Sequence, residues 1–348
     1  MLKPDLRSFN EDEILSIIRQ YNLPDYRAKQ LFSGLQGGAD SFDELTTLPK
    51  ALRKTLSENY MISSVKAIKR LESEIDGTVK YLYELYDGNT VESVFMIYHH
   101  GCSICVSTQV GCRMGCKFCA SGQNGLVRNL TAGEILAQIW YAQKDNGKRI
   151  SNVVLMGMGE PLDNFDNTVR FLELVSHPQG LNIGLRHISV STSGLVDKIE
   201  ALEKMGFPIT LSISLHAPND TIRNQTMPVN KKWGTDKLIE ICRGYAQRTK
   251  RRVSYEYALI AGVNDSEFCA VELASKLKGS LCHVNLIPIN EVKENNYKKP
   301  DRKNIEHFKD ILTSKGINAT IRRILGADIN ASCGQLRSSY QKKRGSET

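Results

Sequence analysis

Three closely spaced cysteines, Cys112, Cys116 and Cys119, form the densest group of reactive side chains in the sequence. They lie on one loop and are separated by three and two residues. Thiolates bind iron–sulfur clusters and structural zinc, but a zinc site needs a fourth nearby ligand and a 4Fe-4S cluster normally takes four thiolates. Three thiolates on one loop therefore predict a cluster with one iron open to a substrate or cofactor. A zinc site and a set of buried packing cysteines are the alternatives.

Two further cysteines are placed where they could reach the same site. Cys105 precedes Cys112 by seven residues within a strand-like run, and Cys333 lies in a turn of small residues, 330–336. Five of the nine cysteines fall between positions 102 and 119 in a chain without a secretory signal, which favours metal binding or redox catalysis over a disulfide scaffold. The remaining cysteines have no motif partner and are predicted to be packing residues: Cys102, Cys242, Cys269 and Cys282.

Alternating strand and helix patterns beyond residue 103 predict the scaffold that positions these cysteines. Short apolar runs occupy 104–108, 152–156, 187–191, 209–214, 253–260, 283–287 and 319–324. Helical patterns lie between them at 132–144, 164–176, 195–204, 235–248, 267–278 and 302–314, and Thr131 with Glu134 predicts a capping box before the first. Six βα units predict a parallel sheet that closes into a full or partial barrel, with its chemistry at the carboxyl ends of the strands.

A smaller unit precedes the barrel. Residues 1–60 have helical patterns, whereas 67–73, 79–86 and 90–98 are strand-like and are joined by Asp-Gly turns. We therefore expect a helical accessory domain at 1–60 that binds RNA, a β-rich connecting segment at 61–100, the barrel at 101–340 and a frayed polar tail at 341–348.

Composition excludes several classes of protein. Among the 348 residues, 41% are hydrophobic and 24% are charged, which excludes a disordered chain, a coiled coil and a collagen-like fibre. No apolar run approaches the roughly 20 residues that span a bilayer, so we expect a cytoplasmic protein without membrane association. The net charge of +8 favours anionic partners, and basic residues cluster at 231–232, 248–252, 298–299, 302–303 and 322–323.

The cysteine triplet after the first barrel strand resembles the signature of the radical S-adenosylmethionine (SAM) enzymes. In that superfamily the open iron binds SAM, whose one-electron reduction yields a 5′-deoxyadenosyl radical. The resemblance implies an α/β fold, a partial (βα)6 radical SAM barrel with a small N-terminal helical/β accessory domain. It also implies one 4Fe-4S cluster with Cys112, Cys116 and Cys119 as ligands.

Motifs at the ends of other strands are similar to the SAM pocket of these enzymes. Each alone is typical of an ordinary turn or cap, but their shared placement at strand ends predicts a common pocket. A Gly-rich turn lets the backbone approach a ligand, and its glutamate could hold the ammonium group of SAM. The predicted SAM-binding residues are Gly159, Glu160, Ser191, Ser214, Leu215, His216 and Asn290.

A closer resemblance, covering residues 10–340, is to the RlmN/Cfr family of RNA methyltransferases. It is carried by segments 105–112, 157–161, 214–220 and 332–336. RlmN-type enzymes methylate carbon 2 of adenosine 2503 in 23S ribosomal RNA and, in some bacteria, also act on transfer RNA, whereas the Cfr type methylates carbon 8 of the same ribosomal adenosine. The resemblance implies a monomer that acts on 23S rRNA, with tRNA as a further candidate substrate and a flavodoxin-like protein as electron donor.

The chemistry of the substrate explains why the extra thiols are needed. A ring carbon flanked by nitrogens is electron-poor and does not attack the sulfonium methyl of SAM, whereas a thiolate does. The resemblance implies that Cys333 takes the methyl group from one SAM and that the radical from a second SAM removes a hydrogen from it. Cys105 would then resolve the RNA adduct through a transient disulfide with Cys333, with Glu92 as the proton acceptor.

Alternatives remain open at this stage. From the residues alone, Glu92 could face solvent, and Cys105 and Cys333 could be small packing residues. Glu160-Pro161 fits the carbon 2 type, since the carbon 8 type tends to have Ala at the second position, and Ser332 replaces the usual Ala of the family. Carbon 8 methylation is thus the second hypothesis, and a non-catalytic, zinc-stabilised RNA-binding protein is the third.

Overall fold

The computed structural model describes residues 3–122, 125–289, 297–329 and 331. Its helices in chain order are α1 (Glu11–Gln20), α2 (Tyr26–Gln36), α3 (Lys50–Asn59), α4 (Ala132–Asn146), α5 (Phe165–Val175), α6 (Val196–Lys204), α7 (Asp220–Thr226), α8 (Thr235–Thr249), α9 (Glu267–Leu277) and α10 (Arg302–Ser314). Its strands are β1 (Lys66–Glu72), β2 (Val79–Glu84), β3 (Thr90–Tyr98), β4 (Gly101–Cys105), β5 (Gln109–Gly111), β6 (Leu126–Asn129), β7 (Ile150–Leu155), β8 (Ile188–Thr192), β9 (Thr210–Ser214), β10 (Val253–Leu259), β11 (Cys282–Pro288) and β12 (Ala319–Ile321).

One large sheet organises the described part of the chain. Its ten strands run in the order β1-β2-β3-β4-β7-β8-β9-β10-β11-β12, and the strands from β4 to β12 are parallel. Helices connect consecutive parallel strands, as crossover connections in such sheets require. This architecture confirms the predicted α/β fold with a parallel sheet whose strands are joined by helices.

The β-rich segment before the barrel is part of the same sheet. Strands β1 to β4 form an antiparallel meander, and β3 pairs with β4 so that Val94 lies opposite Cys105. The turns between them contain Gly77 and Gly88, whose φ angles of 69° and 75° suit the tight connections that the Asp-Gly pairs predict. The predicted domain boundaries at residues 60 and 100 stay predictions.

Alternation along the parallel strands separates the packed core from the interior of the barrel. On β10, Tyr255 and Tyr257 are buried in the main core, where Tyr257 packs against Phe308 of α10 with ring centroids 5.3 Å apart. Glu256 and Ala258, on the opposite face of the strand, line a cavity inside the barrel. Because side chains of a strand alternate between its two faces, the same strands build the core and present groups to the site.

The first barrel strand ends earlier than its apolar pattern predicts. The pattern covers 104–108, but β4 ends at Cys105. The next residues form hydrogen bonds with the turn after β7 instead: Gly157 N donates to Val106 O at 3.0 Å and Thr108 N to Met158 O at 2.8 Å.

The short β5–β6 ribbon and the seven-residue helix α7 were not predicted, because segments of this length have too little periodicity to detect. Among the described residues, the helices are too short or too polar to cross a membrane.

A buried carboxylate joins the N-terminal helices to the barrel. Asp5 accepts hydrogen bonds from Ser8 Oγ at 2.8 Å, from Ser63 N at 2.9 Å and from Thr131 Oγ1 at 2.8 Å. Thr131 is the N-cap of α4 and forms the predicted capping box with Glu134, which is thereby confirmed. Asp5 therefore fixes the start of a barrel helix against the first residues of the chain.

We predict that Asp5→Ala lowers the free energy of unfolding by about 2–4 kcal/mol, because it leaves several buried donors without an acceptor. Asp43→Ala is the control, since the Asp43 side chain is 97% exposed. Denaturant unfolding of both variants checks the prediction, and equal stabilities would show that Asp5 does not join the two parts.

Candidate active site

A cavity of about 270 Å³ lies at the carboxyl ends of the barrel strands. Residues that the sequence predicts for the cluster and for SAM line it together: Cys112, Cys116, Cys119, Gly159, Glu160, Ser191, Ser214 and His216. Leu215 is a predicted pocket residue that is absent from the lining, because its side chain is buried in the main core. Asn290 and Cys333 lie outside the described residues.

The cysteine loop is anchored on three sides. Cys112 N donates to Gly125 O at 2.9 Å, which fixes the start of the loop beside β6. Arg113 forms a bidentate ion pair with Asp163, with N–O distances of 2.6 to 3.0 Å. Lys117 N donates to Thr226 O of α7 at 2.9 Å. These contacts hold the loop over the cavity between β4 and α7.

The surroundings of the thiols suit a cluster. Burial raises the pKa of Cys112 to about 12 and also raises the pKa of Cys116, so both thiols are protonated at neutral pH unless a metal displaces the proton. No group of three His, Cys, Asp or Glu side chains in the described ranges is close enough to hold a metal ion. The thiolates of a 4Fe-4S cluster bind different iron atoms, so this donor set fits a cluster better than a single zinc ion.

The Gly-rich turn after β7 packs directly on the strand that precedes the cysteine loop. A Cβ atom on Gly157 would lie 2.5 Å from Val106 O, and Gly159 has a φ angle of +104°, so neither position accepts a side chain without strain. Glu160 N donates to Gln109 Oε1 at 2.8 Å. The close approach of the two segments carries Glu160 into the cavity.

Glu160 is buried and held by the backbone. Its carboxylate accepts hydrogen bonds from Leu162 N at 3.0 Å and Ser193 N at 2.7 Å. Burial raises the pKa of Glu160, and these N–H donors oppose the rise. An ammonium group in the cavity would compensate the buried negative charge, as the predicted SAM site requires.

His216 is fixed in one neutral form. Its φ angle of 57° places a non-glycine residue in the left-handed region, which is typical of functional sites. Its Nδ1 atom accepts a hydrogen bond from Ala258 N at 2.9 Å, so Nε2 carries the proton. Burial, reinforced by the charge of Arg223, lowers the pKa of His216 to about 3. Phe118, between two of the cysteines, packs edge-on against its ring with centroids 4.9 Å apart.

Arg223 is a site residue that the sequence analysis missed. Its guanidinium group is fully buried and donates to Ser193 O at 2.6 Å, Ser214 O at 3.0 Å and Leu215 O at 2.9 Å. A fourth bond joins it to Asn230 Oδ1 at 2.9 Å. Burial lowers the pKa of Arg223 to about 10, which leaves it charged at neutral pH.

Glu256 is a second residue that sequence patterns did not identify. It lies on β10, is buried and lines the cavity. Its carboxylate accepts hydrogen bonds from Asn285 Nδ2 at 2.7 Å and Ser254 Oγ at 3.1 Å, and burial raises its pKa. Since it lies mid-strand in an apolar run, no turn or motif signalled its position.

A second cavity of about 300 Å³ adjoins the first. Met156, Ile287 and Arg322 line both cavities, and Cys105 lines the second. Glu92 is buried rather than solvent-facing, and its carboxylate lies 3.0 Å from Lys80 Nζ. The structure therefore brings the cluster thiols and Cys105 into adjacent cavities that share part of their lining.

We predict that Arg223→Met lowers the free energy of unfolding by roughly 3 kcal/mol and reduces the iron bound per chain, because it leaves buried carbonyl oxygens unsatisfied beside the cysteine loop. The control is Arg248→Met, since Arg248 is an exposed arginine paired with Glu203. Thermal denaturation and iron analysis measure both effects, and an Arg223 variant with wild-type stability and iron content would contradict them.

Comparisons with known proteins identify the family of the chain. The family model of the radical SAM superfamily matches residues 106–272. The probable dual-specificity RNA methyltransferase RlmN of Alkaliphilus oremlandii is 54% identical over 340 residues, which cover 98% of this chain and 99% of the relative. The protein of the same description from Clostridium novyi is 51% identical and covers 97% of this chain and 98% of its own length.

A solved structure supports the same assignment. The crystal structure of a radical SAM methyltransferase from Sphaerobacter thermophilus superposes with a TM-score of 0.91 at 42% identity, covering 95% of this chain and 98% of that one. Identity above half with relatives matched along nearly their whole length shows the family directly. The chain belongs to the RlmN family of dual-specificity RNA methyltransferases within the radical SAM superfamily, whose members use a 4Fe-4S cluster and SAM.

Proposed function

We propose that this enzyme methylates carbon 2 of adenosine 2503 in 23S ribosomal RNA by a ping-pong mechanism with an S-methylcysteine at Cys333. The observation that supports it most is the pair of adjacent cavities, one lined by the cluster thiols and the other by Cys105. The site proposed for the radical therefore lies next to the thiol proposed to resolve the RNA adduct. Transfer RNA as a further substrate, a flavodoxin-like reductant, a monomeric state and a cytoplasmic location stay predictions.

The first cavity provides the SAM site in this proposal. Cys112, Cys116 and Cys119 would hold the 4Fe-4S cluster, which would supply the single electron that reduces SAM. The Glu160 carboxylate would hold the ammonium group of SAM. Apolar lining atoms of Met114, Phe118 and Leu155 would shield a reactive carbon from solvent.

The two proposed catalytic thiols divide the methyl transfer into steps: Cys333 accepts the methyl group, and Cys105 releases the finished product. The Cys333 sulfur attacks the sulfonium methyl and releases S-adenosylhomocysteine, and the 5′-deoxyadenosyl radical from a second SAM then takes a hydrogen atom from the new S-methyl group. The resulting carbon radical adds to carbon 2 of the adenine, the adduct gives up one electron, for which the oxidised cluster would be the acceptor, and the ring proton passes to the Glu92 carboxylate. The Cys105 thiolate attacks the Cys333 sulfur, the sulfur–methylene bond breaks and a proton completes the methyl group, which releases the methylated RNA and leaves a disulfide for an external reductant.

The carbon 2 assignment rests on Glu160-Pro161, since the carbon 8 type tends to have Ala after the glutamate. An adenine must also leave its stack to reach a cavity inside a barrel. Arg322 and Arg323 line the second cavity and are exposed, so they would meet the phosphate backbone next to such a base.

We predict that the anaerobically reconstituted protein, incubated with SAM, a reductant and unmodified 23S RNA, forms 2-methyladenosine. Mass spectrometry of the digested RNA against methyladenosine standards identifies the product. A product of 8-methyladenosine would replace the carbon 2 proposal with the carbon 8 reaction. Binding of zinc without iron or sulfide would instead favour the non-catalytic alternative.

We predict opposite failures for the two proposed catalytic thiols. Cys333→Ala should form no methylated RNA, because no sulfur accepts the methyl group, and Cys105→Ala should accumulate a covalent RNA–protein adduct, because nothing resolves it. Cys102→Ala is the matched control, since Cys102 lies on β4 with Cys105 but packs in the main core. Denaturing gels and nucleoside analysis give both readouts. Full methyl transfer by Cys333→Ala, or clean turnover by Cys105→Ala, would contradict these roles.

A further inference from the structure

We propose that Lys80 is a positioning residue that holds the Glu92 carboxylate on the face of the sheet that carries Cys105. The inference rests on the proposed function, because it concerns the proton acceptor of that reaction. Its evidence is a buried ion pair: Lys80 Nζ lies 3.0 Å from Glu92 Oε2, and the two side chains are 1% and 3% exposed.

Strand register places these groups on one face. Lys80 of β2 pairs with Val94 of β3, and Val94 pairs on its other side with Cys105 of β4. Directly paired residues project to the same face of a sheet, so Lys80 and Cys105 share a face with Val94. Glu92 lies two residues before Val94 on β3 and therefore projects to that face as well.

The face leads to the second cavity. Val94, Met96 and Cys105 pack together as a small apolar cluster, separate from the main core, and all three line that cavity. Glu92 thus lies at the buried end of the row of side chains that borders the space proposed for the adenine. A carboxylate there can accept a proton from the base without contact with bulk solvent.

Burial makes a positive partner costly for the glutamate to lose. A carboxylate removed from water is strongly disfavoured unless a positive partner compensates it, and the free energy lost on removing one partner of a buried pair is large. Loss of the Lys80 ammonium group would therefore disturb the position of the Glu92 carboxylate that is proposed to accept the ring proton. A lysine that served packing alone would be replaced by an apolar residue at less desolvation cost.

The other ionisable groups described near this face do not substitute for Lys80. Cys105 contributes a thiol from β4, and the guanidinium groups of Arg322 and Arg323 line the far side of the second cavity. Both arginines are exposed, whereas the Lys80–Glu92 pair is buried beneath the face. Lys80 is therefore the cation suited to hold a buried charge on Glu92.

The test follows a single turnover on 23S RNA across a pH series and measures released product and covalent RNA–enzyme adduct. At neutral pH we expect Lys80→Met to release product about tenfold more slowly than the wild type and to accumulate adduct, in line with loss of a general base. The slower release should appear at every pH of the series, because the substitution removes the Lys80 ammonium group from the buried pair at all of them. Lys80→Arg should keep the wild-type profile.

Glu92→Gln separates failure of this inference from failure of the proposed function. It should accumulate adduct at every pH, and Lys80→Met added to it should cause no further loss. If Glu92→Gln turns over like the wild type, the proton-acceptor role in the proposed function is wrong. If Glu92→Gln stalls while Lys80→Met keeps the rate and pH profile of the wild type, the role of Lys80 is wrong and the proposed function stands.

Two controls separate positioning from stability. Lys69→Met removes an exposed lysine from β1 and should change neither rate nor pH profile. Iron content and thermal denaturation check that each variant is folded. If Lys80→Met does not retain its cluster, Lys80→Gln makes the same test, because its amide still donates a hydrogen bond to the carboxylate but carries no charge.

Discussion

The active site depends on one buried cation, the guanidinium group of Arg223. Its hydrogen bonds to the carbonyl oxygens of Ser193, Ser214 and Leu215 join the carboxyl ends of β8 and β9. Arg223 belongs to α7, which also receives a backbone hydrogen bond from the cysteine loop through Lys117 and Thr226. One side chain thus fixes the spacing between the pocket strands and the loop that holds the thiols, and its burial keeps these bonds out of competition with water.

The interior of the barrel contains several charges, each with its own compensation. Glu160 is stabilised by backbone N–H donors, Arg223 by backbone carbonyl oxygens and Glu92 by Lys80. Such groups are costly to bury singly, and each partner offsets part of that cost. Fixed charges beside the apolar side chains of Met114, Phe118 and Leu155 suit radical chemistry, because they orient ligands while apolar atoms surround a reactive carbon.

Local sequence signals predicted the elements and the motif residues well. The cysteine spacing, the glycines of the turn at 157–161 and the capping box at Thr131 each act over a few residues, and the structure places these residues as expected in the cavity or at the start of α4. Arg223 and Lys80 could not be found in this way, because their partners are backbone oxygens or a carboxylate brought close only by the fold. In the sequence, a buried basic residue in a short helix or a strand cannot be distinguished from a basic residue that faces solvent. Leu215 lies in the same predicted motif as Ser214 and His216, yet its side chain is buried in the main core.

The central claim is that the methyl group reaches RNA through a sulfur-bound carbon that has lost a hydrogen atom. The most direct measurement uses SAM with a fully deuterated methyl group and determines the isotopic composition of the methyladenosine product by mass spectrometry. A sulfur-bound intermediate predicts a product methyl group that has lost one deuterium and gained one hydrogen from solvent or RNA. A product that retains every deuterium of the donor would mean direct transfer of an intact methyl group and would rule out the sulfur-bound intermediate.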